Sequence, residues 1–583
     1  MHDVVIQGGL VFDGTGAPAV EADVAIADGR VTAIGADVGP GRETIEARGR
    51  WVTPGFVDNH THYDAELLLA PGLPESVRHG VTTVCIGSCS LSTIFCGPTD
   101  CADLFARVEA VPYDHVIRAL QGKGWSDPAG YRRHLESLPL GPNVMAFVGH
   151  SDLRTSVMGL EAATSSQAPT EEQLTQMERR VQEGLDAGFL GLSGMTNPWD
   201  KVGGDRARSR PLPSTYARRA EWRRLTGLLR AHGAIFQTAP NITTKVGAAL
   251  HFWDSSPLFG LRKPLKTTMI TVADTKADPW LSRLLLRLSS AWDALMGGDI
   301  RWQGVPMPFE VYADGIDLVV FEEFGAGEEA LHLTDQVERN ELFADPAYRR
   351  RFRKDYDKRY GARVWQRDFH DAHIVCAPDP SLAGRTIGEV ADARGEHPVD
   401  TFLDLVVAHG KALRWRTTIA NHRPDRVREI IAHPMVHPGF ADSGAHLRNM
   451  AFYNFPLHVL RMARLEDAPF DAARAVHRVT GEMADWYGVD VGKLAVGAVA
   501  DVAVVDPEAL DDRLDEIHEA PVEVFGGLSR MVRRNDDAVR ATLVGGRVVW
   551  KEGAFAEGFG ESFGTGRFLA AGEAARVLAM ASK

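Results

Sequence analysis

Two histidines one residue apart end the most informative segment of this chain. Residues 52–64 read Val-Thr-Pro-Gly-Phe-Val-Asp-Asn-His-Thr-His-Tyr-Asp, and the pair is His60 and His62. Side chains at positions i and i+2 of a strand point to the same face, so both imidazoles can bind one divalent cation. Nitrogen ligands suit zinc and other borderline metals. A chance pair of surface histidines is the alternative, but the Pro54-Gly55 turn and the apolar residues after it favour a metal site.

An aspartate far along the chain offers acid–base chemistry. Asp442 ends the segment Val-His-Pro-Gly-Phe-Ala-Asp at 436–442. It can bind a metal through one carboxylate oxygen and accept a proton from the attacking water with the other. The alternative role for an aspartate in this position is to cap the following turn or helix. His446, four residues after Asp442, is a candidate for contact with the substrate.

Further candidates follow two predicted strands. Cys89 comes directly after Val84-Cys85-Ile-Gly-Ser, and its thiolate is a candidate third metal ligand that could also bridge two ions. His150 ends Phe-Val-Gly-His, and it can be a ligand, a catalytic donor to the oxyanion, or a hydrogen-bonded neighbour of the ligands. Arg154 could pair with a substrate carboxylate, and a surface ion pair is its alternative.

Short apolar strands alternate with longer helical stretches between residue 54 and about residue 485. The predicted strands are 55–62, 81–87, 144–150, 188–193, 234–238, 267–274, 417–421 and 436–442. This alternation predicts an α/β fold, and the number of strands favours a closed (β/α)8 TIM-like barrel. Active-site residues of such barrels lie at the C-terminal ends of strands, which is where His60 and His62 stand.

Hairpin signals mark both ends of the chain. Asp13-Gly14 and Asp28-Gly29 separate short strands, and a similar pattern returns at 501–506 and 541–550. We predict a small β-sandwich domain built from 1–53 plus 490–555. The barrel domain spans 54–489, and the C-terminal tail spans 556–583. An insertion at about 275–415 is a candidate lid over the barrel mouth. Its basic run from Arg349 to Arg359 is either a solvated helix face or a site for an acidic substrate.

Composition narrows the function classes. The chain has 583 residues, a formal charge of −14 and an ordinary hydrophobic content of 44%. This acidic balance disfavours nucleic acid and anionic membranes as partners, and no stretch reaches the apolar length of a membrane span. The N-terminus has no secretory signal pattern, and five cysteines, an odd number, fit a reduced cytoplasmic protein. The oligomeric state stays open, with a homo-oligomer as one alternative.

Several motifs resemble the amidohydrolase superfamily. They are Gly-Gly-x-Val-x-Asp-Gly-Thr-Gly at 8–16, Pro-Gly-Phe-Val-Asp-x-His-x-His at 54–62 and Gly-Ala-Val-Ala-Asp-Val at 497–502. Within it, His-Tyr-Asp at 62–64, Gly-Val-Thr-Thr-Val at 80–84, Gly-x-Cys89 and Val-Gly-His150 resemble the D-aminoacylases, or N-acyl-D-amino-acid deacylases. The resemblance implies a β/α barrel with a small β-sandwich, and hydrolysis of an N-acyl-D-amino acid to the D-amino acid and a carboxylate. Lys276 matches a lysine that contacts the substrate in that family.

The chain departs from these deacylases, which have metal-binding histidines at the ends of strands five and six. Here strand five reads Ile-Phe-Gln-Thr-Ala-Pro-Asn up to Asn241, and strand six ends near Asp274, a candidate oxygen ligand. Strand four also lacks the bridging lysine of other amidohydrolases. We therefore predict one Zn²⁺ bound by His60, His62, Cys89 and Asp442, and a second ion stays open. The alternatives are an amidohydrolase acting on another linear or cyclic amide, or a binding protein with a degenerate metal site.

Overall fold

Eight parallel strands, all within the described part of the chain, form a barrel. The computed structural model describes residues 1–239, 251–257, 260–358, 360–361 and 363–572. The barrel strands are Phe56–Asp58, Val81–Ile86, Asn143–Ala146 continued by Val148–Gly149, Gly191–Met195, Ile235–Ala239, Lys266–Met269, Asp299–Gly304 and Val436–Pro438. Neighbours in this order are parallel. A parallel bridge between Thr61 and Ser443 joins the first strand to the eighth, which confirms the predicted barrel.

The seventh barrel strand differs from the prediction. Residues 417–421 belong to the strand Arg414–Ala420, which pairs antiparallel with Phe309–Asp314 and lies outside the barrel. The seventh barrel strand is Asp299–Gly304, which pairs in parallel with the sixth and the eighth. Its sequence alternates apolar Ile300 and Trp302 with polar residues, a pattern typical of a half-exposed strand. Because the other barrel strands were predicted from continuous apolar runs, this strand was not predicted.

The insertion lies between the seventh and eighth barrel strands. The predicted interval 275–415 thus contains a barrel strand, and Phe309–Asp314, Arg414–Ala420 and Ala372–Cys376 form a separate antiparallel sheet. The insertion has its own core, in which the rings of Phe321, Phe402 and Trp415 pack together. Its helices are Gly325–His332, Gln336–Ala344, Pro346–Tyr356, Ile387–Arg394 and Pro398–His409.

Ion pairs place the insertion on the C-terminal face of the barrel. They are Arg107–Glu322, Lys201–Glu328, Lys276–Asp371 and Arg448–Asp314. The first residue of each pair stands on a loop after barrel strand two, four, six or eight, and the second belongs to the insertion. The insertion therefore spans the mouth of the barrel, where active sites of this architecture lie. Its role as a lid stays a prediction.

The basic run of the insertion forms the helix Pro346–Tyr356. Arg349 contacts Asp404 at 2.5 Å, and Arg351 contacts Glu329 at 2.6 Å. These acidic partners belong to the insertion itself, which favours a solvated, ion-paired helix face over a site for an acidic substrate. Arg359, the last residue of the predicted run, lies outside the described residues.

Amphipathic helices surround the barrel. In Glu171–Asp186 the buried Leu174, Met177 and Val181 recur at helical spacing, and Thr170 forms a capping box with Gln173 at its start. Further helices outside the insertion are Glu66–Leu69, Pro74–Val77, Pro98–Phe105, Tyr113–Ala119, Pro128–Ser137, His150–Met158, Leu160–Ala163, Arg219–His232, Leu281–Met296, Pro424–Ala432, Phe455–Met462, Ala472–Val479 and Gly481–Tyr487. In the part of the chain that the structure describes, none of the helices has the length and apolarity needed to cross a bilayer.

Strands from both chain ends pair in one sheet beside the barrel. Trp51–Pro54 lies antiparallel to Val502–Val505, which joins the N-terminal strands to the C-terminal ones. The strands of this sheet are His2–Val11, Val20–Ala27, Arg30–Gly35, Gly41–Glu46, Trp51–Pro54, Val502–Val505, Val539–Val544, Arg547–Lys551 and Ala554–Phe555. A hairpin of His518–Val522 and Leu528–Val532 follows Val502–Val505 in the chain. The domain boundaries stay predictions, and residues 573–583 of the predicted tail lie outside the described residues.

Candidate metal centre

Donor atoms of four side chains converge at the C-terminal end of the barrel. His60 Nε2 and His62 Nε2 are 3.2 Å apart, and Cys89 Sγ lies 3.3 Å from His60 Nε2. Asp442 Oδ1 lies 3.2 Å from His62 Nε2 and 3.5 Å from His60 Nε2. The structure thus brings together all four predicted ligands, from the loops that follow barrel strands one, two and eight.

These separations fit the ligand shell of a zinc-like ion. Zinc–nitrogen bonds of about 2.0–2.1 Å and zinc–sulfur bonds of about 2.3 Å imply tetrahedral edges of roughly 3.3–3.6 Å. Four donor separations, at 3.2–3.5 Å, are close to these edges, and His60, His62 and Cys89 form a group whose donor atoms all lie within 4.8 Å of one another. Asp442 Oδ1 is buried and has no hydrogen-bond partner among the described residues, which a coordinated cation would supply. The residues present therefore fit a divalent metal.

Gln303 orients His60. Its Oε1 lies 2.7 Å from His60 Nδ1, and its Nε2 donates to Thr268 Oγ1 at 3.2 Å. Because the amide oxygen accepts only, His60 carries its proton on Nδ1 and leaves the Nε2 lone pair free for a metal. Both side chains are fully buried, so solvent water does not compete for the hydrogen bond between them. A residue of the seventh barrel strand thereby sets the tautomer of a candidate ligand that follows the first.

A strained turn presents Cys89. Cys89 and Ser90 adopt left-handed backbone conformations with φ of 52° and 69°, which non-glycine residues rarely do. Gln237 Oε1 accepts the Cys89 N–H at 3.0 Å, and Ser193 Oγ accepts the Ser90 N–H at 3.1 Å. Residues on barrel strands four and five therefore hold the turn that carries the thiol. Gln237, at the strand-five position, is engaged in supporting this turn.

Burial dominates the electrostatics of His60 and Cys89. Desolvation lowers the pKa of His60 to about 3, so the imidazole is neutral at pH 7, the form that binds metals. Desolvation also raises the pKa of the Cys89 thiol to about 12, although His62 opposes the shift. A bound cation deprotonates a coordinating thiol outright, so metal binding at this site would release a proton.

Three more titratable groups share the charge of the site. Burial opposes ionisation of Asp442, yet the imidazole of His62, whose Nε2 lies 3.2 Å from Asp442 Oδ1, holds its pKa well below the usual range. Burial also opposes the imidazolium of His62, but Glu109, Cys89 and Asp442 together raise its pKa well above the usual range. Burial raises the pKa of Glu109 to about 8, and its Oε1 lies 3.5 Å from His62 Nδ1. Without a cation, Asp442 is therefore ionised and His62 carries a compensating proton, which a metal bound at Nε2 would displace.

Comparison with known proteins is consistent with this geometry. Residues 43–203 match a family described as the amidohydrolase family. An uncharacterized protein of Mycobacterium tuberculosis is 50% identical across 99% of this chain and 97% of its own length. The chain belongs to the amidohydrolase superfamily. A D-aminoacylase of Alcaligenes xylosoxydans xylosoxydans is 25% identical over 95% of both chains.

A solved structure shares the fold of this amidohydrolase. An N-acyl-D-glutamate deacylase of Bordetella bronchiseptica, solved with zinc and a phosphonate inhibitor, superposes with a TM-score of 0.65. The alignment covers 98% of this chain and 100% of that chain at 22% identity. This likeness shows a shared fold, and the barrel described above agrees with the barrel that the resemblance implied.

Two predicted site residues lie away from the four candidate metal ligands. His150 Nε2 is 3.0 Å from Glu221 Oε1, and the His150 ring packs on Trp222. Arg154 is fully buried, and its guanidinium contacts Glu221 and the carbonyl oxygen of Ala163. No hydrogen bond or ion pair between described residues joins this network to His60, His62, Cys89 or Asp442. Because the guanidinium N–H groups of Arg154 already donate to Glu221 and to a backbone carbonyl oxygen, Arg154 is not available to bind a substrate carboxylate.

The other candidates fall into two groups. His446 lies beside the centre, with Nε2 3.8 Å from Asp442 Oδ2. Asp274 does not serve as a ligand, because Arg423 holds both of its carboxylate oxygens. Lys276 forms an ion pair with Asp371 of the insertion, so it lies where the insertion meets the barrel.

Sequence reasoning missed Gln303 and Glu109. The sequence analysis did not predict the strand that carries Gln303. The signal for it was the helix Leu281–Met296, because strands alternate with helices in a barrel and a strand is expected after each helix. Glu109 stands in an irregular segment after the helix Pro98–Phe105, where no pattern marks a buried carboxylate. Only the folded chain shows that these groups adjoin His60 and His62.

Proposed function

We propose that this chain is a metal-dependent amidohydrolase that cleaves the amide bond of an N-acyl-D-amino acid, giving the free D-amino acid and a carboxylate. The observation that carries the proposal is the convergence of His60, His62, Cys89 and Asp442 at the C-terminal end of the barrel. Similarity to proteins named D-aminoacylase and N-acyl-D-aspartate deacylase supports the substrate class. The latter match is 33% identical over 33% of this chain.

One ion of the zinc class fits the centre. His60 Nε2, His62 Nε2, Cys89 Sγ and Asp442 Oδ1 would hold it. When bound, such an ion supplies Lewis acidity that lowers the pKa of a water molecule toward neutrality. Gln237, at the strand-five position, uses its side chain to hold the Cys89 turn, and this supports one ion rather than two.

Asp442 is the proposed general base. Its low pKa keeps the carboxylate ionised at neutral pH and ready to accept a proton from the attacking water. The same carboxyl then returns the proton to the nitrogen of the leaving amine. The left-handed backbone at Asp442, with φ of 55°, is a strained conformation of the kind that clusters at catalytic residues.

Two residues are proposed to contact the substrate. His446 Nε2 lies 3.8 Å from Asp442 Oδ2 and 3.9 Å from Glu109 Oε2, at the partly open side of the centre. It can donate a hydrogen bond to the substrate carbonyl or carboxylate. Lys276 can offer an ammonium group to a substrate carboxylate if substrate binding displaces Asp371.

The test combines metal analysis with a substrate panel. We expect the purified chain to contain about one zinc per molecule, and the His60→Ala/His62→Ala variant to lose it. N-acetyl derivatives of D- and L-amino acids are assayed by release of the free amino acid, with hydantoins as cyclic amides. We expect turnover of D-amino-acid derivatives, reduced about 10²–10⁴-fold in Asp442→Asn. Asp114→Asn, at an exposed aspartate in the helix Tyr113–Ala119, is the matched control and should retain activity.

Other outcomes select the alternatives. Turnover of hydantoins without turnover of N-acetyl-D-amino acids would identify a cyclic amidohydrolase. A folded protein without bound metal and without turnover would identify a binding protein with a degenerate site. Two zinc ions per chain would contradict the proposed single-ion centre.

A further inference from the structure

A cavity of about 770 Å³ lies at the base of the insertion. The chain leaves the barrel for the insertion through residues 306–310, and it returns through 421–424; both segments line the cavity. Asn421 ties these segments together, because its Nδ2 donates to the carbonyl oxygens of Val305 at 2.9 Å and Met307 at 3.1 Å. None of the lining residues is one of the four metal-ligand candidates. The cavity is therefore separate from the metal centre.

Basic side chains outnumber acidic ones in the lining. The arginines are Arg416, Arg428, Arg461 and Arg533, and the acidic residues are Glu310, Asp512 and Asp515. Arg416 pairs with Glu310, and Arg428 with Asp425 at 2.5 Å, an aspartate outside the lining. Arg461 Nη1 lies 2.8 Å from Asp515 Oδ2, and its Nη2 lies 3.2 Å from Asp515 Oδ1. These pairs leave Arg533 without a carboxylate of its own.

Arg533 is buried and weakly partnered. The residue is 4% exposed, and its Nη1 reaches the carbonyl oxygen of Asp515 at 3.4 Å. Its nearest paired carboxylate oxygen, Asp515 Oδ1, is 3.8 Å away and already contacts Arg461. Its Nε has no hydrogen-bond partner among the described residues. Desolvation lowers the pKa of Arg533; the charge of Asp515 opposes this shift, and Arg461 and Arg416 add to it. A buried cation in this condition calls for an anion.

The remaining wall of the cavity combines apolar side chains with the polar residues Tyr312, Asn421, His422 and His458, and its apolar part can hold the body of a ligand. It includes Met307, Val427, Met462, Leu465 and Ile517. A ligand that fits must therefore combine an anionic head with an apolar body. A planar carboxylate matches the fork of a guanidinium, which can donate two parallel hydrogen bonds to it.

We propose that this cavity is a second ligand site, which binds a small organic carboxylate through Arg533 and packs the apolar body of the ligand against Met307, Met462 and Leu465. The site depends on neither the metal centre nor the reaction proposed above. The ligand would contact both segments that connect the insertion to the barrel.

Calorimetric titration of the full-length, metal-loaded protein with hexanoate tests the site. We expect saturable binding at a site that Asp442→Asn leaves intact. Arg533→Gln should weaken binding at least about tenfold, because hydrogen bonds to charged groups contribute about 1.5–3 kcal/mol. Leu465→Trp should weaken it as well, because it fills the cavity from a partly exposed position and keeps the guanidinium. Arg133→Gln is the matched control. Arg133 is exposed and does not line the cavity, so this variant should bind hexanoate as the wild type does.

Two further probes test the chemistry of the ligand. Hexanamide, which lacks the charge, and inorganic phosphate, which lacks the apolar body, should both bind at least about tenfold more weakly than hexanoate.

Absence of saturable hexanoate binding to the wild type would overturn the proposal. So would equal binding by wild type, Arg533→Gln and Leu465→Trp, or loss of binding in Asp442→Asn alone, which would place the ligand at the metal centre. Phosphate binding as strong as hexanoate binding would refute the role of the apolar wall. If Arg533→Gln fails to fold, Leu465→Trp decides the outcome.

Discussion

The hydrogen bond from His60 to Gln303 makes a quantitative prediction about metal affinity. Gln303→Leu keeps the approximate size of the side chain but removes the acceptor that lies 2.7 Å from His60 Nδ1. The imidazole then either keeps a buried Nδ1–H without a partner or moves its proton to Nε2. The first state carries a penalty of about 1–3 kcal/mol, and the second blocks the nitrogen that would bind the ion.

The expected loss of zinc affinity is therefore about 10–100-fold, which is the usual effect of removing a group that orients a histidine ligand. The assay is competition for zinc against a chromophoric chelator, with circular dichroism to show that the variant is folded. Gln303→Glu retains an acceptor for His60 and should keep most of the affinity. Gln121→Leu, an exposed glutamine on a loop, is the matched control for the change of side chain.

One result would refute the reasoning. If folded Gln303→Leu binds zinc as tightly as the wild type does, then the 2.7 Å contact does not set the tautomer of His60. A loss of affinity in Gln121→Leu of the same size would show that the assay reports a general effect on the fold.

Three further predictions follow from other parts of the structure. Asp274→Ala should leave the zinc content unchanged, because Asp274 pairs with Arg423 and not with a metal. It should lower the free energy of unfolding by about 1–3 kcal/mol, because the buried ion pair is lost. A halved zinc content would contradict this assignment. Burial raises the pKa of Glu323 to about 7 from an ordinary value of 4.5. Between pH 4.5 and about pH 7 the folded state therefore binds more protons than the unfolded state, so the free energy of unfolding falls as the pH rises through this range. Glu323→Gln should therefore raise the melting temperature relative to wild type at pH 8 more than at pH 5; an equal difference at both would exclude Glu323 as the cause. Removal of the metal by a chelator should lower the melting temperature, and added zinc should restore it, because a ligand that binds the folded state stabilises it; unchanged melting would contradict a bound ion.

The sequence alone was sufficient for the features that depend on local spacing. His60-x-His62 needs only the period of a strand to place two imidazoles on one face, and the alternation of strands and helices indicates a barrel. Asp442 and Cys89 stand directly after apolar strands, so their meeting with the histidines follows from the rule that active sites lie at the C-terminal ends of barrel strands.

Tertiary structure decided the features that depend on which polar groups pair across the barrel. Asp274 and Arg154 looked available in the sequence, but Arg423 and Glu221 engage them in the folded chain. Gln303 belongs to a strand that the sequence did not predict, and it lies fully buried against His60.

The physical reason is the difference in range between the two kinds of information. Hydrophobic periodicity is a local property that survives in the sequence, and it determined the strands whose apolar runs are continuous. The pairing of buried polar groups is set by burial and by partners far apart in the chain, such as Gln303 and His60, which are separated by 243 residues. The sequence therefore predicted the barrel and the candidate ligands at its C-terminal end, and the folded structure decided how those side chains are oriented.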